Sequence, residues 1–247
     1  MSWTFGAVPP YRPTVAIAER VPTASTVRVL WDSTVGKKAV MACTGLLMLA
    51  FLTVHMYGNL KIFFGPETFN SYAAWLRTIG EPVLHYSWYL WIQRVVLVAA
   101  VILHIVSAYQ LSRRDAKARP VKYEHRKPEM TFATRTMRYG GVIVLLFLIW
   151  HLLDLTALET NPLGDPGHPY QNIVADFHTW YANVIYVVGL LALGLHVRHG
   201  FWSAAQTLGA NGPRSAPLFK AGSWILAIVL TAGFLAVPIG VWTGVVS

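Results

Sequence analysis

The chain has 247 residues, 55% hydrophobic and 13% charged, with a net charge of +9 and a mean hydropathy of +0.46. Soluble domains carry roughly 25% charged residues, so this composition excludes an ordinary soluble enzyme and points to one membrane domain. The basic excess accompanies no nucleic-acid motif and sits mostly between apolar segments, where lysine and arginine report membrane orientation; membrane lipid is the expected surrounding and no nucleic-acid partner is expected.

Residues 1–36 contain Pro9, Pro10, Pro13 and Pro22 and lack the apolar core of a signal peptide. They read as a cytoplasmic N-terminal extension, and residues 37–247 as the transmembrane domain. Crossing a bilayer takes about 20 mainly apolar helical residues, and only helices or closed barrels satisfy the backbone there. The long uninterrupted runs favour helices, at 38–60, 88–112, 138–160, 178–203 and 219–245. Pro238 and Gly240 predict a kink late in the fifth. The expected fold class is therefore an all-α integral membrane protein, five transmembrane helices with a four-helix up-down core.

The connection between the second and third spans carries Arg113, Arg114, Lys117, Arg119, Lys122, Arg126, Lys127, Arg135 and Arg138, and the extension adds Arg12, Arg20, Arg28, Lys37 and Lys38. From Glu159 to Phe177 there is no lysine or arginine, but Glu159, Asp165 and Asp176 are present. The positive-inside bias predicts a cytoplasmic N-terminus and an external C-terminus. The basic connection reads either as this signal alone or as a docking surface for a soluble partner.

Nine histidines occur, and His55, His104, His151, His196 and His199 fall within the spans. Ionisable residues at membrane depth are costly and mark function by default. At 1.5 Å per residue, His55 and His151 lie about 25 and 18 Å from the cytoplasmic end, and His104 and His196 about 12 and 10 Å. The depths define an outer pair, His55 with His151, and an inner pair, His104 with His196. In an up-down bundle each pair sits on diagonal helices, with room between for a flat cofactor. Imidazole is a good ligand for iron, so two stacked bis-histidine b-type haems fit. Gly189 and Gly140 share faces with His196 and His151 and are weak support for the close approach of a broad ring. His199 is expected to bond a propionate, a quinone or a partner subunit; Arg198 and Arg138 either pair with propionates or snorkel to the interface.

Cys43 is the single cysteine, so no intrachain disulfide and no two-thiolate zinc motif is available. It reads either as a small buried hydrophobe or, near the inner depth, as a ligand of a mixed Cys/His [2Fe-2S] cluster replacing a haem; Rieske-type centres use two of each residue.

The segments "TGLLMLAFLTVHMYGNLKIFFG", "FNSYAAWLRTIGEP" and "LHVRHGFWSAAQTLG" resemble the single-chain cytochrome b membrane anchor of succinate dehydrogenase and fumarate reductase, above all the succinate dehydrogenase branch found in many actinobacteria. The resemblance runs from about Trp31 into the fifth helix. It implies a transmembrane cytochrome b-type domain in a bacterial cytoplasmic membrane, with a flavoprotein subunit and an iron–sulfur subunit on the cytoplasmic side. Electrons from succinate would reach a quinone, commonly menaquinone, and the haem ligands would fall on His55, His151, His104 and His196. Ser33 and Lys37, spaced by three residues, resemble the quinone-binding Ser-x-x-x-Arg of the four-subunit branch, with Trp31 nearby; the competing reading is a helix N-cap and interfacial lysines. Glu67 and Glu81 are alternative outer candidates for proton exchange with quinol, or ordinary loop charges. The chain has no G-x-G-x-x-G flavin motif, so succinate oxidation is expected in the partners and quinone reduction here. Three rivals stand beside this reading: a di-haem anchor of another dehydrogenase, a histidine-based proton channel or transporter, and a purely structural anchor. A higher oligomer of the complex stays open.

Overall fold

Apolar length decides the main elements: five helices, Thr34–Phe64, Trp88–Lys117, Met137–Leu155, Trp180–Thr207 and Ala216–Trp242, are long and apolar enough to cross a membrane. The protein is a multi-pass membrane protein. The structure, a computed structural model, describes residues 25–118, 128–210 and 212–247, without the side chains of 26–27 and 128–136. The extension up to residue 24, together with Arg119, Lys122, Arg126, Lys127 and the Arg135 side chain of the basic connection, lies outside the described residues.

The helices are α1 Thr26–Asp32, α2 Thr34–Leu60, α3 Pro66–Thr78, α4 Trp88–Lys117, α5 Pro128–Leu155, α6 Pro169–Phe177, α7 Trp180–Thr207 and α8 Ala216–Trp242, with a 3₁₀ turn at Lys61–Phe64; no strand occurs among the described residues. We call the end where α2 begins and α4 finishes the basic end, and the opposite one the far end.

Local chemistry sets the boundaries. Ser33 Oγ accepts from Gly36 N at 2.8 Å and starts α2 as its N-cap, inside the segment expected as an extension. The second span runs to Lys117 rather than 112, because Arg114 and Lys117 occupy its last turn, where cations favour the helix dipole. The third span stops at Leu155 rather than 160. There the Thr156 and Ala157 amides both return to the Leu152 carbonyl, Leu158 takes φ +62°, and Asn161 Oδ1 accepts from Leu163 N and Gly164 N, each at 3.1 Å.

Two short helices, α3 and α6, occupy segments expected as connections. Each has proline at its first position, where the missing N–H costs nothing. They meet at the far end, where Asn70 Oδ1 accepts from Tyr170 N at 3.0 Å and Phe69 packs on the Tyr170 ring.

In the bundle, α2 packs on α4, α7 and α8, and α7 also packs on α5 and α8. Neither diagonal, α2 with α5 or α4 with α7, shows extended backbone packing among the described residues, and the α4–α5 seam is equally loose. Small residues bring α7 and α8 together: Gly194 lies directly against Thr231, the kind of close approach membrane helices favour. The hydrophobic core runs along α7 and α8 to the far-end cap, through Val197, Leu190, Tyr186, Leu230, Phe234 and Phe177. The four-helix interior is different. Along its whole length α2 fully buries only Lys37, Ala42 and Gly58, and α4 only Ala100, Ser107 and Leu111. α2 and α4 thus bury little of their surface within the protein, as helices with lipid-facing sides do.

Candidate cofactor site: two histidine pairs across the bundle

The span histidines meet in pairs inside the bundle. His55 on α2 and His151 on α5 have ring centroids 5.9 Å apart at 76°. His104 on α4 and His196 on α7 are 6.3 Å apart at 60°. These are the two diagonals, and all four rings are only half-buried. Two imidazoles on opposite sides of one metal, each nitrogen at about 2.0–2.1 Å, place their centroids roughly 6 Å apart, a separation both pairs match.

Hydrogen bonding decides which nitrogen of two rings keeps its lone pair. His104 Nδ1 lies 3.0 Å from the Met41 carbonyl, which only accepts, so Nδ1 carries the proton and Nε2 is free to ligate. The Tyr186 hydroxyl donates to Asp154 Oδ2 at 2.9 Å. Its one proton is thereby spent, so His151 Nδ1, 3.2 Å from the same oxygen, is the donor there, and again Nε2 keeps the lone pair. Metal-ligating histidines typically hold their second nitrogen this way. His55 stacks on Phe51, centroids 5.2 Å apart at 14°. In the inner pair, His196 Nδ1 is buried without a hydrogen-bond partner among the described residues.

Glycines admit the inner pair, at positions other than those singled out from the sequence. A Cβ on Gly45 would come within 3.3 Å of His104 Cε1, and one on Gly141 within 3.6 Å of His196 Cε1. Gly189 instead packs on Phe147, and nothing lies within 4 Å of the place a Cβ would take on Gly140. The lone-pair nitrogens of His104 and His151 and the orphaned His196 Nδ1 fit residues that would hold a metal-centred group at each level.

Cys43 is exposed, whereas Met41, Thr44 and Gly45 of the same helix meet His104. Twelve residues from His55, it is turned roughly 120° away around the helix, so the structure does not bring it to the inner histidines. No cluster of three or more histidine, cysteine or carboxylate side chains suited to a metal ion forms among the described residues. His199 Nδ1 donates to the Leu195 carbonyl at 2.9 Å within its own helix, and the ring facing His104 is that of His196. The Arg198 guanidinium lies 3.7 Å over the Trp224 ring, and Arg138 is exposed.

At the basic end, Lys37 is only 2% exposed; its Nζ donates to the Trp31 carbonyl at 2.6 Å and sits 4.3 Å from that indole's centroid. The Ser33 hydroxyl is already committed, accepting from Gly36 N and donating to the Leu30 carbonyl at 2.8 Å. Glu67 and Glu81 are exposed at the far end.

One cluster went unread in the sequence. Asp154 and Asp176 are both 0% exposed and Tyr186 joins Asp154 to His151. In the sequence Asp154 is a lone carboxylate within a span and Asp176 reads as a loop charge; α6 folds Asp176 inward, where it is buried as Asp154 is. Burial, then the neighbouring Asp154 carboxylate, pushes the Asp176 carboxyl well above the usual carboxylate range.

Compared with protein-family models, with curated proteins and with solved structures, the chain matches none.

Proposed function

We propose that the chain is a membrane-embedded electron carrier of the cytochrome b class, with one haem b held by His55 and His151 and a second by His104 and His196. Within that class we read it as the membrane-anchor subunit of succinate:quinone oxidoreductase. It would carry electrons from an iron–sulfur subunit, itself served by a flavoprotein subunit, to a membrane quinone, commonly menaquinone. The observation that carries the reading is the pair of diagonal histidine contacts at two depths of one bundle, each with the separation of two axial ligands. The choice of complex rests on the resemblance of the segments around His55 and His196.

When bound, haem supplies reversible one-electron chemistry. The four histidines would hold it, two of them oriented through the Met41 carbonyl and the Tyr186 hydroxyl, and apolar helix faces would keep water out. The resemblance implies a bacterial cytoplasmic membrane, and the lysine and arginine bias supports the basic end inside, facing the soluble partners. There Lys37 and Trp31 offer a buried cation and an aromatic wall, a fitting combination for the carbonyl and ring of a quinone. The anchor of another di-haem dehydrogenase would share the histidine pairs, and the subunits that co-purify separate the two.

The test is a dithionite-reduced minus oxidised spectrum of the purified complex, with pyridine haemochrome, iron and acid-labile sulfide assays. Two haems b per copy are expected. None, with iron and sulfide beyond what the soluble subunits hold, would overturn the reading.

A further inference from the structure

Four titratable groups from three helices form a line at the far end: His151 and Asp154 on α5, Tyr186 on α7 and Asp176 on α6. The contacts are His151 Nδ1 to Tyr186 at 3.2 Å and Tyr186 to Asp154 Oδ2 at 2.9 Å. Asp154 Oδ1 also accepts from Thr160 Oγ1 at 3.5 Å. Asp154 therefore receives a donor on each oxygen, as an ionised carboxylate does. Asp176 stands beside it with neither oxygen partnered by a donor among the described residues, although it is fully buried. A buried ionised carboxylate without donors is very costly, and two adjacent buried carboxylates do not both ionise readily. The arrangement is satisfied if Asp176 is the acid and turns its proton toward Asp154.

Among the described residues no lysine or arginine lies on α6, and the nearest histidine, His178 at its C-cap, is exposed whereas Asp176 is buried. α8, packed on α6, has no titratable side chain between Lys220 at the basic end and Trp242. α3 brings Asn70 to Tyr170 and Gln171, at the other end of α6. The charge that Asp176 would sense through Asp154 and Tyr186 is the one at the outer histidine level.

We propose that Asp176 is a proton site linked to the oxidation state of the outer histidine level, binding a proton when an electron arrives there and releasing it when the electron leaves. The inference rests on the electron-carrier reading above. Arrival of one electron, supplied from the inner level by the iron–sulfur partner, removes one unit of positive charge beside the chain of hydrogen bonds. The positive charge of the oxidised level offsets the cost of ionising Asp176; once that charge is removed, the Asp176 carboxylate takes one proton from water at the far face, forming one O–H bond. That bond breaks, and the proton returns to water, when the electron passes on. Burial and the Asp154 carboxylate already hold the Asp176 carboxyl up to about 8, close enough to neutrality for one nearby charge to switch it.

The experiment uses the assembled complex. In the wild type, reduced-minus-oxidised infrared spectra should show a protonated-carboxyl band that appears on reduction and moves to lower frequency in heavy water. The midpoint potential of the outer component should fall with pH by up to about 59 mV per unit, the one-electron limit. Asp176→Asn should abolish both signals while leaving two b-type components. A wild-type potential independent of pH, or no carboxyl band on reduction, overturns the proposal without the variant having to fold. An unchanged slope in an intact Asp176→Asn complex overturns it equally. Absence of any b-type component in the wild type would instead remove the electron-carrier reading, and this inference with it.

Discussion

The hydroxyl of Tyr186 on α7 donates to Asp154 on α5 across 2.9 Å, and Asp154 is wholly buried. This bond ties together two spans that meet beside the outer histidine pair. It also fixes the direction of the next bond, because a hydroxyl with its proton on Asp154 can only accept from His151 Nδ1. A buried acid thus determines which nitrogen of a proposed ligand faces the bundle centre.

Tyr186→Phe should break this line while keeping the ring packed against Phe177 and Phe147. Leaving Asp154 short of a donor costs about 1–3 kcal/mol, to be read as a lower thermal midpoint in detergent. The outer spectral component should shift or broaden, and the inner one should keep its position. An unchanged outer component would show that the Tyr186 contact does not orient His151.

Alanine at either member of a histidine pair should remove one spectral component and spare the other. His55→Ala and His151→Ala are expected to lose the same component, and His104→Ala and His196→Ala the remaining one. Haem content per complex, measured alongside the reduced spectrum, should fall from two to one. Two variants of the same pair that lose different components would break the pairing.

Asp176 gives stability a pH dependence whose sign follows from its raised carboxyl. The native protein keeps this proton to a higher pH than the unfolded chain, in which a carboxylate titrates near 4. The contribution is fully present below that unfolded value and is lost as pH rises through the folded one. The thermal midpoint of the wild type should therefore decline from about pH 5 to about pH 8, by roughly 2–4 °C for each kcal/mol lost. Asp176→Asn, neutral throughout, should flatten this decline. A rising wild-type midpoint over the same range would contradict the assignment of the proton to Asp176.

At the basic end, Ser33 and Lys37 should separate. Ser33→Ala removes an N-cap and should cost about 1 kcal/mol of stability, with quinone kinetics close to wild type. Lys37→Met keeps the buried aliphatic stem but removes the charge against Trp31, and should raise the KM for quinone by about tenfold, with haem content intact. Steady-state assays with a soluble quinone check both. The reverse pattern would return the quinone role to the Ser33 hydroxyl.

Much of this protein was legible in one dimension, because both span length and depth are linear coordinates along a helix. Apolar runs located the five membrane helices, and counting residues at a fixed rise sorted four histidines into the same two pairs that meet across the diagonals. Direction around a helix was harder to read. Cys43 has the right depth for the inner pair but lies on an exposed face, and Gly45 and Gly141, rather than Gly189 and Gly140, lie against the histidines. Azimuth depends on which neighbours a helix packs against, and no single helix sequence states that. The early stop of α5 and the short helices α3 and α6 depended on turn bonds and contacts between segments about a hundred residues apart, such as Asn70 with Tyr170. Asp154 and Asp176 are separated along the chain by the loop and most of α6, and neither on its own points to the other. Their shared burial, and with it the proton on Asp176, was decided only when α5, α6 and α7 closed around them, because a carboxyl's charge state depends on what surrounds it in space.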